Sequence, residues 1–474
     1  MSALRDYIIR MADGRRFLSR EECEVLVQRI RGYATGGGST NIFIRSAWDG
    51  ELRWARNRAS LASDRLTLVI NVTREVLPGA IGGATTNQVD DVSLAAAVRA
   101  AERGARGLPF YFNDIAPPPP TFEYPKTAIW SDATYDLTTE ERGRLARTLV
   151  ESAEAEEMLS AGYLEISAQG TAVAEEERPL LYAAETQAQC SMTVRDSKGT
   201  GSGWAGLSSY DWGAIDTGVL AKRALEKALA SRNPVTLEPG RYTVILEPQA
   251  VAALVDLIQP WVGGGSARIT AEQGRGPFAS GFDSALGLGR SKLGLKVVDE
   301  RVTLSFDPMD PKLGVVPFVV EGNGHVPARS VKWIDHGVLT MLSYDRRYAL
   351  SELNDNQGCP ASSAYRMSGG PTSMDEMIRT TKRGLLVTRF SNIRPLDPVS
   401  LLATGLTRDG LWLIENGKIS KAVKNLRFTE SPLFVLNSLE QLGEPVPVFS
   451  PGTPVIVPPL KARDFSFTSV IDAV

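Results

Sequence analysis

Histidine and cysteine are the side chains most often used to bind metals, relay protons or attack carbonyls. This chain holds only His325, His336, Cys23, Cys190 and Cys359. Neither histidine has a second one at ligand spacing, so most metal and triad mechanisms lack their parts. His336 lies in IDHGVL, the pattern of a hairpin turn, and His325 lies in a GNGHVP loop. Cys359 sits in a Gly-Cys-Pro turn that would expose a thiol, but a nucleophilic cysteine needs a base beside it, so unrelated turn residues are the plainer reading. The carboxylate runs EAEEM at 154–158 and AEEER at 174–178 are expected to be solvated faces. Trp204, Trp212 and Trp261 read as core or interface aromatics.

Gly201, Gly203 and Gly206 spell GxGxxG after a strand, and Glu226 follows at 20 residues beyond the last glycine. A dinucleotide fingerprint needs that loop to open directly into a helix whose N-terminus meets the pyrophosphate. Here LSSYDWGAID intervenes, which favours a glycine-rich hairpin or bulge. GLGLGRSK at 285–292 does not make a phosphate-binding loop.

The elements that must carry these residues follow from capping and periodicity. Ser19 and Glu22 form a capping box for a helix burying Cys23, Leu26, Val27 and Ile30. NIFIRSA and RLTLVINVT read as antiparallel strands, and Asp91 is expected to cap a helix with Leu94, Val98 and Ala101 inward. Four prolines at 117–120 mark a stiff linker. Thr138 and Glu141 then cap a helix running to about Met158, followed by strands through GSGWAGLSS and a helix from Asp216 to Ala230. After RNPVTLEPG at 232–240 come mostly short strands. They are interrupted by a helix from Pro248, with Val251, Leu254, Val255 and Ile258 on one face, and by another from Ser373 to Gly384.

The expected architecture is α+β. An N-terminal α/β half with an antiparallel sheet and flanking helices comprises units 1–116 and 121–236, and a C-terminal β-rich domain with few helices spans 237–474. Across the 474 residues, 52 basic against 55 acidic side chains give a net charge of −3, with no basic excess for nucleic acid or an anionic membrane. The odd, widely spaced cysteines point to a reducing, cytoplasmic setting. MSALRDYIIRMADGRRF lacks the apolar run of a signal peptide, and no stretch approaches a membrane span.

Several segments, taken in order, resemble the TldD/PmbA family, named as modulators of DNA gyrase and understood as a peptidase system. In the first half they are LRWARNRASLASDRLTLVINV, ATTNQVDDVSLAAAVRAAERGA, GSGWAGLSSYDWGAID and PGRYTVILEPQAVAALV. The second half adds FDPMDPKLGVVPF, EGNGHVPARSVKWIDHGVL, SMDEMIRTTKRGLLVTRF and LWLIENGKISKAVKNLRF. The resemblance implies two domains and pairing with another subunit. In metal-bearing members it implies an HExxxH helix, with two histidines on zinc, the glutamate as general base and a downstream cysteine as third ligand. By register those positions are Asp256, Leu257 and Trp261 here, and no cysteine follows Cys359.

This pattern resembles the PmbA/TldE-type member, which implies no catalytic residue, metal or cofactor of its own. The implied partners are a zinc-bearing TldD-type paralogue or a second copy in a dimer, with an extended peptide as substrate. The alternatives are a homodimeric peptide-binding or scaffold protein, and a metal-independent hydrolase or natural-product tailoring enzyme using Cys359 or carboxylates.

Overall fold

Ser19 starts the first helix, α1 (Arg20–Gly32), as the capping box predicts: its hydroxyl accepts from the Glu22 N–H, and the Glu22 carboxylate accepts from the Ser19 N–H at 2.8 Å. The protein is described by a computed structural model covering residues 17–77, 79–107, 123–176, 178–197, 200–283, 288–321, 324–355 and 358–471. The expectations for the N-terminal stretch 1–16 and for the prolines at 117–120 lie outside these residues.

Strands β1 (Ser39–Ala55), β2 (Arg58–Leu77), β3 (Ala80–Thr86), β4 (Met158–Ala174), β5 (Leu181–Asp196) and β6 (Ser202–Ser209) form one antiparallel sheet in the order β3-β2-β1-β4-β5-β6. Strands from both sides of the proline run therefore share a single sheet. One face buries Ile42, Ile44, Leu164, Ile166, Cys190 and Met192 beneath α1, α2 (Asp91–Gly107), α3 (Thr139–Glu154) and α4 (Thr217–Ala230). Two helix ends differ from expectation. Asp90, not Asp91, caps α2 by accepting from the Ser93 N–H at 2.9 Å, while Asp91 accepts from Arg29 and Tyr33. Helix α3 stops at Glu154, because Met158 already begins β4.

The GxGxxG segment is a regular strand without a register shift, so no bulge forms. Gly201 sits at the β5–β6 hairpin, while Gly203 and Gly206 lie within β6. Gly203 faces α4: a Cβ there would lie 2.0 Å from the Ala224 carbonyl oxygen and 2.4 Å from the Ala228 nitrogen. The glycine thus permits close helix-on-sheet packing and has no phosphate-binding geometry.

In the C-terminal half, β7 (Gly240–Leu246), β8 (Arg383–Asp397), β9 (Leu402–Glu415), β10 (Leu426–Glu430) and β11 (Leu460–Val470) close into a barrel through the β8–β9 pairing. Mostly short strands were expected, and β8 and β9 depart from that at 15 and 14 residues. Register shifts bend them, and Asp409 and Gly410 at positive φ interrupt the apolar pattern that would reveal their length. Likewise α7 (Met374–Arg379) ends well before Gly384, which lies in β8. The Thr380 and Thr381 hydroxyls bond back to the Glu376 and Met377 carbonyls at 2.8 and 2.7 Å and close that helix. The fold is α+β, with a helix-covered antiparallel sheet followed by a β-rich half. Among the described residues no helix is long and apolar enough to cross a membrane.

Gly203→Ala is expected to destabilise the fold by about 2–3 kcal/mol, because backbone rather than a flexible side chain meets the new methyl. A lowered urea midpoint with unchanged slope is the readout.

Candidate functional site

The face of the sheet opposite the helices carries a row of polar side chains beside an apolar patch of Phe43, Val173, Leu181 and Ala183. The residues of this face alternate with the core positions, so Arg45 on β1, Gln169 on β4 and Glu185 on β5 share it. Arg45 Nε donates to Gln169 Oε1 at 2.7 Å, and the Gln169 amide donates to the Glu185 carboxylate. A second pair on this face joins Gln189 Nε2 to Glu165 Oε1 at 2.9 Å. The C-terminal half covers this face and leaves a cavity of about 430 Å³, floored by Arg45, Gln169 and Glu185 and walled by Phe306, Val316 and Phe318. Burial pushes the Glu185 carboxyl above the usual carboxylate range, with the Gln169 hydrogen bond and the Arg45 charge opposing it.

A loop at 361–364 forms another wall of the cavity and ties it to the motif segment. Ser362 N–H donates to the Gly263 carbonyl at 3.1 Å, and the Gln259 amide donates to the Ser362 carbonyl. The continuous helix expected from Pro248 through Ile258 is broken. Helix α5 (Pro248–Val255) ends at Asp256, and α6 (Gln259–Gly263) follows. Leu257 and Ile258 donate three residues back, to Leu254 and Val255, and Pro260 would clash with the Asp256 carbonyl in a continuous helix.

The residues at the motif positions have other engagements. Asp256, an exposed residue, turns Oδ1 inward to accept from the buried Tyr365 hydroxyl at 2.7 Å; desolvation there raises its proton affinity and the hydrogen bond partly offsets that. Leu257 is half-buried, and Trp261 packs on the C-terminal core against Gly276. Such a set does not fit zinc: one carboxylate already bonded to a phenol stands with two side chains that cannot ligate. Among the described residues no group of three or more His, Cys, Asp or Glu is placed to hold a metal ion.

Elsewhere the structure corrects three expectations. His325 lies on a strand, Gly324–Pro327, and is buried, with Nδ1 2.9 Å from Glu175 Oε1. Glu175, expected on a solvated face, is therefore buried. Burial would raise its carboxyl, but His325 and Arg178 outweigh that and hold it below the usual range. Cys359 is not an exposed turn thiol: it bridges to Tyr344 in antiparallel fashion and is largely buried, with Sγ 3.8 Å from Ser343 Oγ. His336 does occupy an exposed hairpin turn, at positive φ beside Gly337. Trp204 lies between the halves, its ring edge-on to Phe449 at 5.7 Å and 4.7 Å from the Arg389 guanidinium. Trp212 packs on the N-terminal core. Sequence reasoning missed Glu185 and Gln169. The signal was the polar alternation of Glu185, Gln187 and Gln189 against Ala188, Cys190 and Met192.

Residues 239–469 match the model of the PmbA/TldA metallopeptidase C-terminal domain. The C-terminal domain of the chain is therefore of the PmbA/TldA kind. Solved structures agree in fold. A candidate DNA gyrase modulator from Thermotoga maritima superposes with TM-score 0.78 at 17% identity, covering 94% of this chain and 100% of its own. TldE from Thermococcus kodakarensis gives 0.77 at 17%, with 94% and 100% covered. A candidate DNA gyrase modulator from Bacteroides thetaiotaomicron gives 0.78 at 18%, with 95% and 100% covered. No curated protein matches the chain. Within this fold, the cavity lies where the mixed sheet face meets the PmbA/TldA-type C-terminal domain.

Two measurements test the site. The folded state holds the Glu185 proton more tightly than the unfolded chain, so this group favours folding at low pH and the benefit fades as pH rises through its raised pKa. Glu185→Gln is expected to match the wild type in stability below about pH 4 and to exceed it increasingly at higher pH, read as denaturant midpoints across a pH series. Burial also pushes the Cys23 and Cys190 thiols up to about 12. All three buried cysteines should resist an aromatic disulfide reagent in native protein and react within minutes in denaturant.

Proposed function

We propose that this chain is the non-metal-binding subunit of a TldD/TldE-type peptidase complex, pairing with a zinc-bearing TldD-type paralogue to process or degrade unfolded peptides in the cytoplasm. The observation that carries this reading is the state of the motif positions within a retained family fold: Asp256 bonded to Tyr365, with Leu257 and Trp261 unable to ligate. Hydrolysis of a peptide bond needs an activated water, a base and stabilisation of the oxyanion, which zinc and a glutamate supply in such peptidases. On this reading the chain's own contribution is to bind and align the substrate. Strand β2 supports it. Only Ile70–Leu77 pair with β3, so among the described residues the outer edge from Arg58 to Leu66 offers main-chain groups to an extended peptide.

The test is a peptide-cleavage assay with each chain alone, both together, and both with chelator, accompanied by elemental analysis of this chain. The expected outcome is no zinc and no cleavage by this chain alone, and chelator-sensitive cleavage by the pair. Stoichiometric zinc, or metal-independent cleavage by this chain after contaminants are excluded, overturns the reading.

A further inference from the structure

A buried carboxylate facing an open cavity is costly unless a cation or hydrogen-bond donor comes to it. Glu185 meets that description. The residue is 8% exposed, lines the cavity, and among the described residues has only Gln169 as a hydrogen-bond donor. The relay from Arg45 through Gln169 fixes which way the amide faces: because Arg45 donates to Oε1, the amide must donate to Glu185, which is thereby kept as an acceptor. Gln169 reaches Glu185 Oε1, and among the described residues no side chain or main-chain donor reaches Oε2. Arg45 also lines the cavity and its charge reaches Glu185, but it is exposed, bonds Gln169 through Nε and makes no ion pair with Glu185 among the described residues.

The rest of the cavity suits the stem of a long side chain. Phe306, Val316, Phe318 and Ala364 present apolar surface, and about 430 Å³ falls within the ~300–1,000 Å³ typical of ligand pockets. Lysine and arginine bury their methylene stems along apolar walls while the charged head seeks a polar partner. We propose that the cavity over Glu185 is a subsite for a cationic side chain, lysine or arginine, of an extended peptide. Glu185 accepts the cationic head, the aromatic walls hold the stem, and Gln169 is a positioning residue that orients the carboxylate. This subsite rests on the reading of the chain as a peptide-holding subunit; it lies over β5, three strands in from the β2 edge, and so selects its own stretch of the peptide by side chain.

The experiment measures binding to the full chain of two fluorescent, N-acetylated, C-amidated pentapeptides, identical except for a central lysine or norleucine. The lysine peptide is expected to bind at least tenfold more tightly. Glu185→Gln should abolish that ratio, and Glu165→Gln, on the same sheet face outside the cavity, should preserve it; near-UV circular dichroism confirms that both variants fold. Equal affinity for the two peptides, a preference unchanged in Glu185→Gln, or no binding of either peptide at millimolar concentration overturns the proposal. The cleavage assay separates the two claims. A reconstituted pair that cuts both peptides at equal rates sinks the subsite and leaves the subunit reading intact, whereas lysine-selective binding without any cleavage does the reverse.

Discussion

A six-stranded sheet has two faces to cover, and in this protein one is apolar while the other sets polar side chains beside an apolar patch of Phe43, Val173, Leu181 and Ala183 that packs on Phe318. Helices α1 to α4 satisfy the apolar face by hydrophobic burial, whereas on the mixed face each polar side chain must be answered individually. Near β6 the central groups are answered: the buried Asp409 accepts from Ser202 and from the Arg389 guanidinium, which in turn lies over Trp204. Ser208 accepts from the Ser450 N–H at 3.1 Å. Near Arg45 and Glu185 the covering is incomplete, and the cavity is what remains. The seal and the site are therefore two outcomes of one constraint.

The motif segment serves that seal. Gln249 on α5 uses its amide both ways on Phe449, donating to the carbonyl at 3.0 Å and accepting from the N–H at 3.1 Å. The ring so held meets Trp204 and Tyr163 edge-on, at 5.7 and 5.8 Å. At the helix N-cap, Glu247 pairs with Lys227 of α4 at 2.5 Å. A helix that clamps the two halves together has a structural reason to persist whether or not its outer turn binds metal.

Local chemistry was legible in the sequence wherever a short stretch decides the outcome. The boxes at Ser19 and Thr138, the cap at Asp216 and the stripe of Cys23, Leu26, Val27 and Ile30 all concern neighbours within a few turns. What escaped was set by distant partners. Glu175 looks solvated in AEEER until His325, 150 residues away, donates its main-chain N–H to it. Glu185 looks like a routine polar strand position until the C-terminal half closes over it. The long strands β8 and β9 were hidden because bulges and positive-φ residues break the alternation that a strand of constant register would show.

The departure from a metal helix is one of backbone as much as of side chains. Two imidazoles five residues apart require a helix that stays continuous, or widens locally, through the turn between them. Between Asp256 and Trp261 the chain does the opposite: Leu257 and Ile258 tighten to bonds three residues back, and Pro260 brings no N–H donor. Tyr365, fully buried, holds the Asp256 carboxylate in that arrangement. Replacing side chains on such a turn would leave the ligand vectors misdirected, because the packing of Tyr365 and Trp261 fixes the turn itself. The chemistry left to this region is that of the cavity beside it. There Ser362, bonded to both Gln259 and Gly263, makes the motif segment a rigid wall for whatever the Glu185 carboxylate holds.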